Sequence, residues 1–215
     1  DPKVQINNFN FIVVPEHDRL EGENVIKSKG AIHYITDEEI QGAKALAISK
    51  NVLTVILGGP NKYYSFSLEE LKRLFHKIEL LFLNRVEEIK IISSRRTPES
   101  IVSFLRDRYK DNSKVIVDSS LSRKNYIEAL AQAKKIIVTS DSISMLSEAA
   151  TTGVPIYLAK LKSYKNDHRF DSFLELFKKL KIIKDLETNE DSWTYDKLYE
   201  TKRIAELLKN KITLS

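Results

Sequence analysis

A glycine-rich loop, Gly58-Gly59-Pro60-Asn61-Lys62, follows an apolar segment that predicts a buried strand. Glycines let backbone N–H groups approach a phosphate closely, and Lys62 can add a positive point charge beside it. The spacing G-x-x-x-x-G-K-[ST] is absent, which argues against a typical nucleoside triphosphatase. Two interpretations stay open: a phosphate-binding loop, with Gly58, Gly59, Asn61 and Lys62 as candidate binding residues, or a plain Gly-Pro turn.

A second loop, Ser93-Ser94-Arg95-Arg96-Thr97, places two guanidinium groups beside a predicted helix start. Arginine forks match the oxygens of a phosphate, and the helix N-terminus adds partial positive charge. Arg95 and Arg96 are therefore candidate anion-binding residues. The alternative is that one or both pair with surface carboxylates.

A third loop brings Ser140, Asp141 and Ser142 to the start of another predicted helix. Their hydroxyl and N–H groups suit a phosphate, although Asp141 could be no more than a helix cap. Glu148 lies about two turns further along, and a carboxylate there could accept hydrogen bonds from both hydroxyl groups of a ribose. Three phosphate-compatible loops together indicate one site more strongly than any loop alone.

General-base and metal chemistry have few candidates in this chain. The four histidines, His17, His33, His76 and His168, show no helical ligand spacing, so we expect no metal site. His17 follows a predicted strand and is the candidate general base, because histidine titrates near neutral pH. The alternative for His17 is a loop histidine held by Asp18 or Glu16.

The elements that must position these residues begin at Asn51, where strand patterns alternate with helical patterns. This alternation predicts parallel strands joined by right-handed crossovers. In such sheets, ligands bind at the carboxyl ends of the strands, so the three loops should meet there. We therefore predict an α/β fold with a parallel Rossmann-like sheet and helices on both faces. The predicted strands are Val52–Leu57, Glu88–Ser93, Lys114–Val117, Lys135–Thr139 and Val154–Leu158.

The predicted helices alternate with these strands. They are Leu68–Leu83, a helix that begins at Thr97-Pro98-Glu99, a helix around Tyr126–Ala133, Ser142–Thr151 and Phe170–Leu180. Ser67 is the predicted N-cap of the first helix and Thr97 that of the second, and the fourth helix is predicted to stop at Gly153. Tyr63 and Tyr64 could stack on a sugar or base, but aromatic packing at a domain edge explains them equally well.

Three regions are expected along the chain. Residues 1–48 contain two predicted strands, Phe9–Pro15 and Ala31–Thr36, with a polar turn at Glu21–Asn24 between them. Two strands cannot form a domain. We therefore interpret residues 1–48 as a truncated N-terminal α/β portion or as an abbreviated flap on the next domain. Residues 49–192 form the Rossmann-like domain. Residues 193–215 carry a last helix, about Tyr195–Lys209, that packs back toward the N-terminal portion. The first residue is Asp1 and the only methionine is Met145, which indicates a fragment or a processed product.

Composition narrows the possible partners and location. The 215 residues include no cysteine, no apolar run long enough to span a bilayer and no signal peptide, so we expect a soluble, cytoplasmic protein without disulfides. The net charge of +5 suits an anionic partner or reflects compositional drift. No nucleic-acid-binding module is visible. The basic helices near residues 160–184 would allow contact with a membrane surface or a protein partner, and the sequence leaves the oligomeric state open.

Six motifs in matching order resemble those of the mitochondrial-fission "elongated mitochondria" family. They are Val14-Pro15-Glu16-His17-Asp18, Gly58-Gly59-Pro60-Asn61-Lys62-Tyr63-Tyr64, Ser94-Arg95-Arg96-Thr97-Pro98, Thr139-Ser140-Asp141-Ser142-Ile143-Ser144-Met145, Glu148-Ala149-Ala150 and Gly153-Val154-Pro155. The tail from Trp193 to Ala205 is also similar. Bacterial members of this family are described as predicted nucleoside-diphosphate-sugar epimerases, and a plant member recruits a dynamin-like protein during mitochondrial division. The family's usual N-terminal half, with its glycine-rich opening motif, is missing from this chain.

The C-terminal domain also resembles the donor-binding half of GT-B glycosyltransferases, such as the peptidoglycan N-acetylglucosaminyltransferase. That resemblance implies that Gly58, Gly59 and Lys62 approach the diphosphate. It further implies that Tyr126 and Ile127 flank the base, that Ser140 to Ser142 hold phosphate or sugar, and that Glu148 takes the ribose.

Two functions remain after this comparison. The first is a metal-independent GT-B-like transferase using a nucleotide-diphosphate sugar, with Arg95, Arg96 and helix N-termini neutralising the leaving diphosphate. The second is a non-catalytic scaffold or recruitment protein that keeps the pocket. A short-chain epimerase needs a dinucleotide fingerprint and a Tyr-x-x-x-Lys pair, and both spacings are absent, so we do not expect epimerase activity.

Overall fold

A six-stranded sheet forms the centre of the molecule in the computed structural model, which describes residues 5–18, 20–165, 168–187 and 192–213. All its neighbouring strands are parallel. The strands of the sheet are β3 (Val52–Leu57), β4 (Glu88–Ser93), β5 (Val115–Asp118), β6 (Ala133–Thr139), β7 (Ile156–Ala159) and β8 (Ile183–Asp185). Two further strands, β1 (Ile12–Pro15) and β2 (Val25–Ser28), pair in parallel as a separate small sheet.

The strand order is β5-β4-β3-β6-β7-β8, so the direction in which strands are added reverses between β3 and β6. In open α/β sheets, a crevice opens at the carboxyl ends of the two strands that flank such a reversal. The loops that begin at Gly58 and at Ser140 follow these two strands. The topology therefore brings the glycine loop and the Ser140–Ser142 loop to one crevice.

Seven helices accompany the strands in the described part of the chain. They are α1 (Asp37–Ala45), α2 (Leu68–Phe82), α3 (Glu99–Tyr109), α4 (Arg123–Gln132), α5 (Ile143–Ala149), α6 (His168–Lys179) and α7 (Glu200–Thr213). Every residue of β3 is buried: Leu53, Val55 and Leu57 belong to the core cluster that includes α2 and α3, and Ile56 belongs to the cluster that includes α4, α5 and α6. Apolar residues on both faces of a strand are what a sheet covered by helices on both sides requires. The predicted fold class is confirmed.

Local capping explains several helix ends. The Ser67 hydroxyl accepts a hydrogen bond from the Glu70 amide and caps α2, as predicted. After α5 a short 3-10 turn ends at Gly153, whose φ of 71° is the left-handed conformation that glycine adopts without a steric penalty. The predicted cap at Thr97 is wrong. Pro98 occupies the N-cap position of α3, and the Thr97 hydroxyl donates instead to the carbonyl of Gly58.

The N-terminal portion differs most from expectation. The predicted strand Ala31–Thr36 is irregular, because the amides of Ala31 and His33 donate to the hydroxyls of Ser147 and Thr201 rather than to a neighbouring strand. The partner of β1 is β2, at 25–28, and α1 follows Thr36, which forms a capping box with Glu39. Strand β8 and helix α1 were not predicted.

Helix α7 contacts the N-terminal portion. The Arg203 guanidinium donates to the Lys27 carbonyl at 2.6 Å, and the buried Glu200 carboxylate accepts from the Lys29 amide at 2.7 Å. Helix α7 begins at Glu200, later than the predicted Tyr195. Among the described residues, no helix combines the length and the apolarity that a membrane-crossing segment requires.

Candidate functional site

Asp141 joins the loops at the crevice between β3 and β6. Its side chain is fully buried, and its Oδ2 accepts hydrogen bonds from the Gly59 amide and from the Arg96 guanidinium, each at 2.9 Å. Arg96 also donates to the Gly59 carbonyl at 2.8 Å. Asp141 is not the helix cap, because the Ser142 hydroxyl caps α5 by accepting from the Met145 amide. The three predicted loops therefore meet, with one buried carboxylate between them.

The two glycines are required by this packing. A Cβ on Gly58 would lie 2.0 Å from Asp141 Oδ2, and a Cβ on Gly59 would lie 2.1 Å from the Arg96 carbonyl oxygen. The Gly58 amide donates to the Thr139 hydroxyl at 2.9 Å, and the Gly59 amide is already bound to Asp141. A phosphate could bind these amides only after Thr139 and Asp141 release them. The role of the glycine amides in phosphate binding stays a prediction.

Asn61 and Ser140 have structural contacts in this loop region. The Asn61 side chain donates to the Asp141 carbonyl at 3.1 Å and accepts from the Tyr63 amide at 2.8 Å, which fixes the turn. The Ser140 hydroxyl accepts from the Leu161 amide at 3.0 Å.

A cavity of about 420 Å³ opens beside this crevice, at the carboxyl ends of β4 and β5. Its polar lining is Ser93, Ser94, Arg95, Asp118, Ser122, Arg123, Tyr126 and Glu148. Arg95 is exposed and lines this cavity, whereas its neighbour Arg96 is bound to Asp141. The two arginines, which were equivalent candidates in the sequence, therefore occupy different environments.

Glu148 and Tyr126 form a hydrogen-bonded pair in the cavity wall. The Tyr126 hydroxyl donates to Glu148 Oε2 at 2.7 Å, and no described residue bonds to Oε1. Burial raises the pKa of the Glu148 carboxyl, while the hydrogen bond from Tyr126 and the charge of Arg123 act in the opposite direction. Burial, together with the Glu148 charge, also raises the pKa of Tyr126, so its hydroxyl remains protonated at neutral pH. One oxygen of Glu148 is thus available to a ligand in the cavity.

Other candidates lie away from this cavity. The His17 ring packs edge-on against Phe173, at 5.9 Å between centroids, and His17 is not among the residues that line the cavity. Ile127 is buried in the core cluster beneath α4. Lys62 is exposed, with its Nζ 4.7 Å from the centre of the Tyr63 ring. No group of three or more His, Asp or Glu among the described residues could hold a metal ion.

Tyr63 and Tyr64 both pack against Phe170 of α6, each with ring centroids 5.4 Å apart. Of the two interpretations left open for these tyrosines, the structure supports aromatic packing.

Sequence reasoning did not identify several residues that line the cavity, among them Tyr34, Asp118, Leu121, Arg123 and Met145. Arg123 is the first residue of α4. The serine-rich loop before it contains no motif that indicates a binding site. Tyr34 comes from the N-terminal portion, and nothing in the sequence indicates that this portion reaches the carboxyl ends of β4 and β5.

Comparison with known proteins agrees with the sequence motifs. The family model described as Mitochondrial fission ELM1 matches residues 1–212. The chain belongs to this family. An uncharacterized protein of Rickettsia prowazekii (strain Madrid E) is 31% identical over 204 residues, which cover 90% of this chain and 57% of that protein. The mitochondrial fission protein ELM1 of Arabidopsis thaliana is 23% identical over 243 residues, 98% of this chain and 56% of the plant protein. This ELM1-family chain therefore spans a little over half the length of these relatives.

Among solved structures, that of Acinetobacter baumannii MurG matches 92% of this chain and 58% of its own, with a TM-score of 0.48 and 15% sequence identity. At this TM-score the likeness carries no argument about this chain. The predicted resemblance to GT-B donor sites remains a prediction.

Proposed function

We propose that this chain binds a nucleotide diphosphate, or the nucleotide-diphosphate part of a sugar nucleotide, in the cavity beside β4 and β5. The observation that carries the proposal is the Glu148–Tyr126 pair in the cavity wall. A carboxylate with one oxygen already fixed by a tyrosine presents the other oxygen in a set direction, as recognition of a ribose hydroxyl requires.

The Arg95 guanidinium supports an anionic ligand. Arg95 lines the cavity and is exposed, whereas Arg123 in the same wall is paired with Glu39, and the lining also contains the carboxylates of Asp118 and Glu148. Guanidinium groups match phosphate oxygens in geometry and stay charged at any physiological pH. The cavity volume of about 420 Å³ also falls within the range of small-molecule sites.

Of the two functions considered, a binding protein without turnover is favoured over a transferase. A transferase needs a base to deprotonate its acceptor. The candidate base, His17, packs on Phe173 and does not line the cavity. The two cavity carboxylates have other contacts: Glu148 is assigned to the ribose, and Asp118 accepts hydrogen bonds from the Ser120 amide and the Asn125 side chain. A scaffold or recruitment role, in which the bound ligand would accompany a surface interaction, is the form of this binding function that we propose for a member of the family described as Mitochondrial fission ELM1.

Thermal unfolding of the chain with UDP, ADP, GDP and UDP-N-acetylglucosamine tests the proposal. At a ligand concentration of about 100 times Kd, binding should stabilise the fold by about 2.7 kcal/mol and raise Tm. Glu148→Gln should remove most of this increase, because an amide has one acceptor oxygen, and its NH2 group cannot accept a hydrogen bond from the ribose while that oxygen accepts from Tyr126. Glu128→Gln, on the same face of α4 as the surface residue Lys124, is the matched control and should leave the increase unchanged.

Two further variants locate the phosphates. Arg95→Ala should reduce the stabilisation if the diphosphate lies in the cavity, and Lys62→Ala should reduce it if the diphosphate lies on the glycine loop. Affinity should also fall as the pH is lowered through the raised pKa of Glu148, since the protonated carboxyl loses an acceptor. No stabilisation by any of these nucleotides would rule out the proposed function.

A further inference from the structure

Leu121 has an unfavourable backbone conformation at the edge of the cavity. Its φ is 56°, in the left-handed region that a bulky residue rarely adopts. Leu121 is 55% exposed and lines the cavity. Strained residues persist where surrounding structure imposes them, and they concentrate at ligand sites. The strain therefore makes Leu121 a candidate for ligand contact.

Tyr34 presents a second large side chain to the same cavity. Tyr34 is 82% exposed, although both neighbours along the chain, His33 and Ile35, are buried. The His33 amide donates to the Thr201 hydroxyl, and the Ile35 amide donates to His33 Nδ1. Hydrogen bonds therefore fix the backbone on both sides of Tyr34, while its ring is exposed.

Arg123 connects these two features. It lies two residues after Leu121, and its guanidinium donates to the Tyr34 carbonyl at 3.2 Å and to the Glu39 carboxylate at 2.7 Å. The same guanidinium lies 5.8 Å from the centre of the Tyr34 ring, a cation–π contact. Arg123 therefore fixes the N-terminal segment, and the Tyr34 ring with it, beside the loop that carries Leu121.

We propose that Tyr34 and Leu121 bind the flat ring of a nucleobase at the mouth of the cavity, Tyr34 by stacking and Leu121 by apolar contact. This inference rests on the proposed function and adds to it that the N-terminal portion contributes directly to the ligand site. Every base offers a π-face to an aromatic side chain, and such stacking is sequence-tolerant. With Glu148 on the ribose and Arg95 on the phosphates, each part of a nucleotide then has its own contact.

Isothermal titration of the full chain with UDP, ADP and inorganic pyrophosphate tests the role of Tyr34. Tyr34→Ala should weaken nucleotide binding on the order of tenfold, while Tyr34→Phe should bind like the wild type because it keeps the ring. The affinity for pyrophosphate, which has no base, should not change. Tyr164→Ala removes another exposed tyrosine, 66% exposed and outside this cavity, and should have no effect.

Leu121→Gly separates a binding role from a structural one. Glycine adopts φ of 56° without strain, so this variant should unfold at a higher or equal temperature and yet bind the nucleotide several-fold more weakly. Lys181→Gly is the matched control, since Lys181 has φ of 58° and lies outside the cavity; it should relieve strain without changing affinity.

The outcomes distinguish the two proposals. Wild-type chain that binds none of the nucleotides overturns both the proposed function and this inference. Nucleotide binding that survives unchanged in both Tyr34→Ala and Leu121→Gly overturns the base-binding role alone. Equal weakening of nucleotide and pyrophosphate binding in Tyr34→Ala also overturns it, because the ring would then support the shape of the cavity and would not contact the base.

Discussion

At the scale of single residues, the structure assigns Gly58 and Gly59 a packing role. The sequence left Gly58 and Gly59 open between a phosphate-binding loop, in which their amides approach an anion, and a plain Gly-Pro turn. In the structure those amides face Thr139 and Asp141, and the missing side chains make room for Asp141 and for the backbone of Arg96. The glycines thus hold three loops together before any ligand is considered.

Alanine at Gly59 should destabilise the fold, because the new Cβ would meet a backbone carbonyl that cannot rotate away. Overpacking of this kind costs about 1–3 kcal/mol, measurable as a lower urea midpoint. Gly42→Ala is the control: on α1, a Cβ added at Gly42 would meet nothing within 4 Å, so the change should stabilise the helix by about 0.5–1 kcal/mol. A Gly59→Ala protein as stable as the wild type would contradict this packing.

At the scale of elements, the segment from Gly30 to Thr36 shows how tertiary contacts override a local pattern. Its alternating apolar residues predict a strand, yet its amides bond to side chains on α5 and α7. His33 is buried between these elements, and burial lowers the pKa of its imidazole, with a hydrogen bond to the Ser147 backbone opposing the shift. The segment therefore depends on a neutral His33.

Because the folded-state pKa of His33 lies below its unfolded value of 6.5, the unfolded chain binds the proton more readily. The contribution of His33 to stability is therefore complete above pH 6.5 and is lost as the pH falls through the lowered pKa. His33→Asn keeps a hydrogen-bond acceptor but does not titrate, so its free energy of unfolding should change less between about pH 7.5 and pH 5.

Urea unfolding at several pH values measures this effect. Leu80→Ala, at an exposed position on α2, is the control; it changes no titratable group and should keep the pH dependence of the wild type. Identical pH profiles for wild type and His33→Asn would show that the buried imidazole has no part in acid sensitivity.

At the scale of the whole molecule, α7 connects the end of the chain to its beginning. The Glu200 carboxylate is nearly inaccessible, with its side chain 3% exposed, and it bonds both to the Lys29 amide and to Arg203. Arg203 in turn donates to the Lys27 carbonyl of β2. Contacts between residues far apart in the sequence thus fix the N-terminal portion, including the segment that carries Tyr34.

Glu200→Ala should loosen this connection, since the Lys29 amide would lose its acceptor at a cost of about 1–3 kcal/mol. Hydrogen exchange should then quicken in β2 while β3 and β6 stay protected. Glu206→Ala changes an exposed glutamate of the same helix and should leave exchange in β2 unaltered. Unchanged protection of β2 in Glu200→Ala would mean that other contacts suffice to hold the N-terminal portion.

Much of the fold was predictable from the sequence, but the site was only partly so. The bounds of β3 and β4 coincide with the predicted ones. β3 is a nearly continuous apolar run, as expected of a strand covered by helices on both faces, so its bounds depend on local composition. The meeting of the three loops was predictable because ligand sites in parallel sheets form at the carboxyl ends of the strands. The separation of Arg95 from Arg96 did not, since it depends on which guanidinium reaches the buried Asp141.

The sequence by itself determined the alternation of strands and helices, the family of the chain and the identity of Glu148 as a candidate for ribose binding. These properties depend on periodicity and on motifs that are contiguous along the chain. Only the tertiary structure decided that Asp141 occupies the glycine crevice, that His17 lies against Phe173, and that Tyr34 reaches the cavity. These are contacts between residues far apart in sequence, and their free energies depend on burial and geometry that no local pattern records.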